Sequence, residues 1–340
     1  MRIIIDAMGG DNAPNEIVKG ALNAANEFGV DLTFVGLEED IRRCLKENSA
    51  EEDGDHIRVV HASEVVTMED EPSMAVRRKK DSSMTVMLNM LRDGEGDACV
   101  SAGSTGALLT GATLIVKRIR GIRRACLAPV MPLGEKGIML IDCGANVECT
   151  PEYLLQFAYM GSFYCRDILG IKEPRIGLLN NGTEPTKGTD LLKQVNALLQ
   201  TAHDEGRIRF IGNVEASSVF AGNVDVLVCD GFTGNIFLKT LESTASYMVK
   251  LVKEGFMSSA VTKFSALLMR KELKKIKNKL NASEIGGTPL LGISKPVIKA
   301  HGSSDARAIR SAVRQAVQVI EADVIPEIER NAVYMSNKNQ

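Results

Sequence analysis

Residues 98–107 read ACVSAGSTGA. The short apolar run Ala98–Ser101 meets a turn built from glycine and hydroxyl residues, and the chain then passes directly into helical spacing. A run without polar alternation has the composition of a strand buried on both faces, as in a parallel sheet covered by helices. The same pattern recurs outward in both directions. Strands are predicted at Arg2–Asp6, Leu32–Val35, Ile57–His61, Ala98–Ser101, Cys126–Val130, Ile138–Asp142, Arg175–Leu179, Ile208–Ile211, Val224–Cys229 and Val297–Lys299. Amphipathic stretches such as Asn15–Phe28 and Thr189–His203 separate many of them. Strand–helix alternation of this kind predicts a three-layer α/β/α architecture around a mostly parallel sheet. No linker, low-complexity segment or internal repeat divides the chain. The expectation is therefore one α/β/α domain over residues 1–340, with a helical excursion at 241–280.

The bulk numbers exclude several classes. The chain has 340 residues, 44% hydrophobic and 25% charged, which is ordinary for a globular protein. Aromatic residues make up 4% and Trp is absent, so a base-stacking nucleic-acid binder is not expected. No apolar run reaches the ~20 residues of a membrane span. The start, MRIIID, lacks a signal-peptide layout, so a cytoplasmic protein is expected. Seven cysteines are scattered without a CxxC pair and read as reduced apolar fillers. Cys143, inside a glycine loop, is the one worth weighing as a nucleophile. The four histidines do not cluster at metal-ligand spacing, and HExxH is absent. GxxxxGK[ST], GxGxxG and GxSxG are absent too, which argues against P-loop, dinucleotide and α/β-hydrolase chemistry.

In open α/β sheets, ligands bind beyond the carboxyl ends of the strands. Those places carry DAMGGDNAP (6–14), SAGSTGA (101–107), DCGAN (142–146), NNGTEPTKG (180–188), DGFTGN (230–235) and AHGSSDA (300–306). Each alone reads equally as a turn followed by a helix cap. Together, on one edge, they predict a site. Small side chains let phosphate oxygens approach backbone N–H groups at helix starts. This makes Ser101, Gly103, Ser104, Thr105 and Gly106, with Gly302, Ser303 and Ser304, the candidate phosphate cradles. Asp6, Gly9, Gly10, Asn146, Asp230, Gly231 and Gly234 are candidate binding or loop-holding positions. Lys187, in its glycine loop, is a candidate fixed charge for phosphate or a developing oxyanion, and equally a solvated lysine. His301 is a candidate oriented donor, and equally a residue at a helix start.

The near-neutral net charge of −2 hides an asymmetry. Residues 250–280 hold nine basic and two acidic side chains, +7, against −9 for the remainder. Val261, Phe264, Leu267 and Leu268 follow helical spacing, and Lys263, Arg270, Lys271, Lys274 and Lys275 lie beside them. Three readings stay open: a solvated helix in a dimer interface, a docking surface for an acidic protein, and an interfacial helix entering an anionic membrane. Arg77–Lys80 forms a second basic run, either a contact for an acidic partner and its phosphate or a solvated helix face.

The ordered set DAMGGD, SAGxTGA, DxGAN, the Asn-Gly…Lys187-Gly loop, GNVE (212–215), CDGFTGN, GGTPLLG (286–292) and HGSS resembles the bacterial phosphate acyltransferase family PlsX, from about residue 2 to 322. Ser104, Asn181, Thr183 and Pro185 depart from the family's usual residues. The resemblance implies transfer of a fatty acyl group from acyl carrier protein (ACP) to inorganic phosphate, giving acyl phosphate for phospholipid synthesis. It also implies a homodimer, a fold similar to phosphotransacetylase and the isocitrate and isopropylmalate dehydrogenases, peripheral membrane association, and a downstream acyltransferase that consumes the product. On this basis Lys187, His301 and Asn235 are expected at the reacting centre. Phosphate can attack a thioester directly, so no metal or organic cofactor is expected. Two rivals remain at this stage: a CoA-dependent short-chain phosphate acetyl- or butyryltransferase, and a non-catalytic membrane scaffold for lipid synthesis.

Overall fold

The computed structural model of the protein describes residues 1–67, 69–273 and 287–335. The first half runs β1 (Arg2–Asp6), α1 (Asn15–Phe28), β2 (Asp31–Gly36), α2 (Glu38–Glu47), β3 (Ile57–His61), α3 (Pro72–Arg78), α4 (Ser83–Asp93), β4 (Ala98–Ser101) and α5 (Thr105–Gly111). A π-helical turn, Ala112–Val116, extends α5. Next come β5 (Cys126–Leu127), β6 (Val130–Met131), β7 (Ile138–Ile141), α6 (Pro151–Asp167), β8 (Arg175–Leu179), α7 (Asp190–Asp204), β9 (Arg209–Val214), α8 (Ala216–Val219) and β10 (Val226–Val228). The chain continues through α9 (Gly231–Met257), α10 (Ala260–Leu268), β11 (Thr288–Leu291), β12 (Val297–Lys299), α11 (Ala306–Glu321) and α12 (Val324–Asn331).

The architecture is α/β with mostly parallel pairing, as the alternation predicted. The strands divide between two sheets, ordered β3-β2-β1-β4-β12-β11-β5 and β6-β7-β10-β8-β9. Among the described strands, only the pairings of β11 and β6 are antiparallel. Strands such as β4 and β7 are buried along their whole length, which explains their unbroken apolar sequence. Each of two apolar clusters draws on both sheets. Ile3 and Ile5 share one with Ile141 and Val228. Ile4 and Cys99 share the other with Leu140 and Leu227.

Three local expectations change. Cys126–Val130 is not one strand. It is β5 and β6, two residues each, in different sheets, and Pro129, which has no N–H for a ladder, lies at the crossing. The GGTPLLG motif contains β11, which its proline and glycines disguise. Gly287 is packed so closely that a Cβ there would lie 2.4 Å from Ile298 Cγ2. The helical excursion begins before residue 241. α9 starts at Gly231 and runs through Gly255 to Met257. The break falls at Ser259, whose side chain and that of Thr262 form a capping box that starts α10.

Among the described residues, the excursion packs on the body only through the start of α9, where Phe237, Leu238 and Leu241 meet the core. In α9 only Gly231 and Gly234 are buried, and in α10 nothing is. Val261 is 75% exposed, Phe264 63%, Leu267 63% and Leu268 72%. Lys263, Arg270 and Lys271 are exposed beside them. Lys274 and Lys275 lie outside the described residues, as does Gly286. Among the described residues, no helix is long and apolar enough to cross a membrane.

Candidate active site

Parallel pairing sends β1, β4 and β12 to one edge of the first sheet, and β7, β8 and β10 to one edge of the second. Their carboxyl-terminal loops therefore gather. The loop after β1 clasps the loop after β12: Asp11 N–H donates to the Gly302 carbonyl at 2.8 Å, and Asn12 Nδ2 donates to the carbonyls of Ser303 and Ser304 at 3.2 Å each. Gly10 has φ +101, and a Cβ there would sit 2.9 Å from the Gly302 oxygen, so only glycine lets the two loops approach. A Cβ at Gly9 would lie 2.7 Å from Gly103 N.

Asp6 stands beneath this cluster, 1% exposed. It accepts 2.6 Å hydrogen bonds from the hydroxyls of Ser83 and Ser101, and Ser101 Oγ in turn accepts from Gly103 N–H at 3.0 Å. Burial pushes the Asp6 carboxyl upward, against the pull of both hydroxyls and of Lys299. Asp6 is thus the fastener that joins β1, β4 and α4.

On the second sheet, Asp142 plays the same part for its own loop. It is fully buried and accepts from the backbone of Leu127, Cys143, Ala145 and Asn146. Asn146 Nδ2 donates to Asp142 and to the Ala125 carbonyl. α9 is pressed onto this loop. A Cβ at Gly234 would lie 2.1 Å from the Asp142 carbonyl oxygen, and one at Gly231 2.7 Å from the Asn146 oxygen. Asp230 caps the helix by accepting from the N–H and hydroxyl of Thr233. Asp230, Gly231, Gly234 and Asn146 therefore shape the site.

Between these loops lies a cleft of about 930 Å³. Its polar lining includes Thr105, Asn235, Lys239, Glu242, Lys299, His301, Ser303 and Ser304, beside Leu127 and the apolar stretch 129–133. The structure thus brings together Thr105, Asn235, His301, Ser303 and Ser304 of the sequence-predicted set. Ser104 is buried as the N-cap of α5, and Gly106 packs on Pro72. Lys187 does not line the cleft. It is exposed on the loop after β8, two strand spacings (about 10 Å) from β7.

The cations at the cleft are ones the sequence reading missed. Lys299 ends β12 and is only 7% exposed. Its Nζ donates to the carbonyls of Ala102 and Ala300. Burial pulls its pKa down from 10.5 to about 8, with Asp6 and Asp11 acting in the opposite sense. Lys239 pairs with Glu242 at 2.8 Å. The available signals were slight: a lysine closing an otherwise apolar strand just before HGSS, and one helical turn from Asn235 to Lys239.

His301 Nδ1 lies 3.2 Å from Ser303 N–H and 2.9 Å from Ser303 Oγ. A backbone N–H can only donate, so Nδ1 accepts and the ring proton belongs on Nε2. Burial, reinforced by Lys239 and Lys299, holds the imidazole below its usual pKa. His301 is therefore a neutral Nε2–H donor near pH 7. Ser304 is 4% exposed and its hydroxyl has no partner among the described residues, leaving an unsatisfied polar atom at the cleft wall. The start of α11 is a poorer anion cradle than expected, because Glu16 takes the N–H of Ala306 and Asp305 takes that of Ala308. Burial pushes the Cys143 thiol up to about 12, so this cleft-lining cysteine is not a thiolate at neutral pH. Among the described residues, no three His, Cys, Asp or Glu side chains gather to hold a metal ion.

Solved structures of similar fold include phosphotransacylases and a putative 4-hydroxythreonine-4-phosphate dehydrogenase. A phosphotransacetylase from Streptococcus pyogenes superposes with a TM-score of 0.62 at 17% identity, covering 96% of this chain and 94% of that one. A branched-chain phosphotransacylase from Enterococcus faecalis V583 gives 0.54 at 17% identity, covering 94% and 99%. At such identities the likeness defines the fold: this is an α/β protein of phosphotransacetylase architecture. The fatty acid synthesis protein family matches residues 1–327. A phosphate acyltransferase from Oceanobacillus iheyensis is 48% identical over 329 residues, 96% of each chain. One from Clostridioides difficile is 44% identical over 331 residues, 97% of this chain and 96% of the relative. The chain belongs to the phosphate acyltransferase (PlsX) family and is an acyltransferase.

Proposed function

We propose that the cleft transfers a fatty acyl group from the thioester of acyl-ACP to inorganic phosphate, releasing acyl phosphate and free carrier. The observation that carries this reading is the donor set that lines the cleft: the Ser304 hydroxyl, unpartnered among the described residues, the Lys299 and Lys239 ammonium groups, Asn235, and the Nε2–H of a neutral His301. These groups suit a phosphate dianion and the oxyanion that forms when it attacks a carbonyl. Phosphate oxygen bonds to the carbonyl carbon, and the tetrahedral intermediate expels the thiolate. The proton originally on hydrogen phosphate ends on the departing sulfur. Lys299, with a pKa of about 8, is suited to relay it. The high pKa of Cys143 supports direct attack over an acyl-cysteine intermediate. We assign Lys187 to substrate capture at the rim.

The domain acts as one unit in this reading, because both sheets supply the cleft. Val261, Phe264, Leu267 and Leu268 form a tip for an anionic membrane, with Lys263, Arg270 and Lys271 at headgroup level and available to the acidic carrier. The exposed apolar residues of α9, among them Ile236, Tyr247 and Leu251, suit a homodimer contact. A cytoplasmic, peripherally bound enzyme would pass its reactive product to an acyltransferase that consumes acyl phosphate. The test is hydroxamate trapping of acyl phosphate from purified protein, phosphate and either acyl-ACP or short-chain acyl-CoA. Product from acyl-CoA alone replaces this reading with the CoA-dependent one. No product from any donor leaves the scaffold.

A further inference from the structure

The Asp142–Asn146 loop serves two cavities. Cys143 and Gly144 line the cleft, whereas Ala145 and Asn146 line a second cavity of about 350 Å³. α5 is shared likewise: Thr105 faces the cleft, and Leu109, one turn or ~6 Å further along, faces the second cavity. Arg77 from α3 and Arg118 and Arg124 from the connection before β5 line this second cavity, and among the described residues none of the three is ion-paired to a carboxylate. Arg118 Nη1 donates to the Arg123 carbonyl, and the Arg124 guanidinium stacks 5.5 Å from the Tyr153 ring centre. Those contacts position two of the charges without neutralising them. Among the described residues, no Asp or Glu lines the cavity. Thr113 and Leu114 reach it from the π-helical turn, an insertion of the kind that recurs at functional sites.

Three gathered guanidinium groups without a counter-charge call for an anion, and their planar forks match phosphate oxygens. We propose that this cavity binds the phosphate of the pantetheine arm bearing the acyl thioester, with the arm crossing the Asp142–Asn146 loop into the cleft. The assignment rests on the acyl-ACP reading above. In that arm the phosphate ester stands next to a carbon bearing two methyl groups, and Met74, Leu109 and Leu114 supply an apolar wall beside the arginines. CoA carries phosphate at the same position, so the experiment separates the two sources.

The test combines Arg77→Gln, Arg118→Gln and Arg124→Gln in one protein, whose melting temperature should match wild type because all three side chains are exposed. Calorimetric titration compares 4′-phosphopantetheine with pantetheine. Wild type should prefer the phosphorylated compound by about tenfold or more, and the triple variant should lose the preference. In turnover, KM for acyl-ACP and acyl-CoA should rise by about tenfold or more, with KM for S-acyl-pantetheine and for phosphate unchanged. Equal binding of the two compounds by wild type, or a preference that survives in the variant, overturns the proposal. A KM rise confined to acyl-CoA overturns the carrier as the source. If wild type forms no acyl phosphate from any donor, the proposed reaction falls, and the titration still decides the cavity.

Discussion

Lys299→Met should separate stability from activity. The ammonium lies in the interior, and the gap between 10.5 and its pKa of about 8 corresponds to about 3 kcal/mol disfavouring the charged form in the folded state. Methionine keeps the apolar stem and removes that cost. It also removes two hydrogen bonds, to the Ala102 and Ala300 carbonyls, worth about 1 kcal/mol each. The net expectation at pH 7 is a protein as stable as wild type or about 1 kcal/mol more so, a gain of about 2 °C in Tm. The pH dependence carries a sign. A lysine with a depressed folded pKa is protonated in both states below pH 8, where its penalty is fully present. Between about pH 8 and 10.5 the unfolded chain binds more protons, so wild-type stability gains as pH rises. The variant lacks that contribution, and its advantage should vanish by about pH 10.5. Activity should move the other way, with acyl-phosphate formation down by about 10²-fold or more. Calorimetric melts at pH 7 and pH 10, with hydroxamate trapping, read all of this. A Tm drop of more than about 5 °C at pH 7, or kcat within about tenfold of wild type, refutes the reasoning.

His301→Asn removes the Nε2–H donor, and kcat should fall by about 10²-fold in a steady-state assay with the fold retained by circular dichroism. Gly234→Ala forces a Cβ to within 2.1 Å of the Asp142 carbonyl oxygen and should cost about 1–3 kcal/mol in denaturant unfolding. Gly255→Ala, with open space around its new methyl, should instead stabilise by up to about 1 kcal/mol. Lys187→Ala should raise KM for phosphate or acyl donor more than it lowers kcat, and a loss confined to kcat would return this lysine to the reacting centre. Phe264→Glu with Leu267→Glu should abolish flotation with anionic liposomes, and binding that survives both changes removes the membrane reading.

Local sequence determined much of this protein. Apolar runs gave β1, β4, β8 and β12 with their boundaries, because a strand buried on both faces has no polar period to confuse its limits. Asn15–Phe28 was equally legible from its spacing and the Gly29 that ends it in a left-handed conformation. The glycine loops announced the edge where chemistry gathers, and their order along the chain carried the family. What the sequence left open is whatever depends on which loop meets which. Sequence left Asp6 open between binding and holding its loop and did not single out Asp142; both are fasteners, since each is buried under donors from segments distant in the chain. Gly231 and Gly234 looked like a phosphate turn and are the surface on which α9 is packed. Lys187 and Lys299 are chemically the same side chain. Only the stacking of β12 against β4, and the two-strand gap between β8 and β7, places one in the cleft and the other outside it. A residue's charge and its neighbours in sequence are local properties. Its burial, and hence its pKa and its reach, are set by segments hundreds of residues away, which no local pattern encodes.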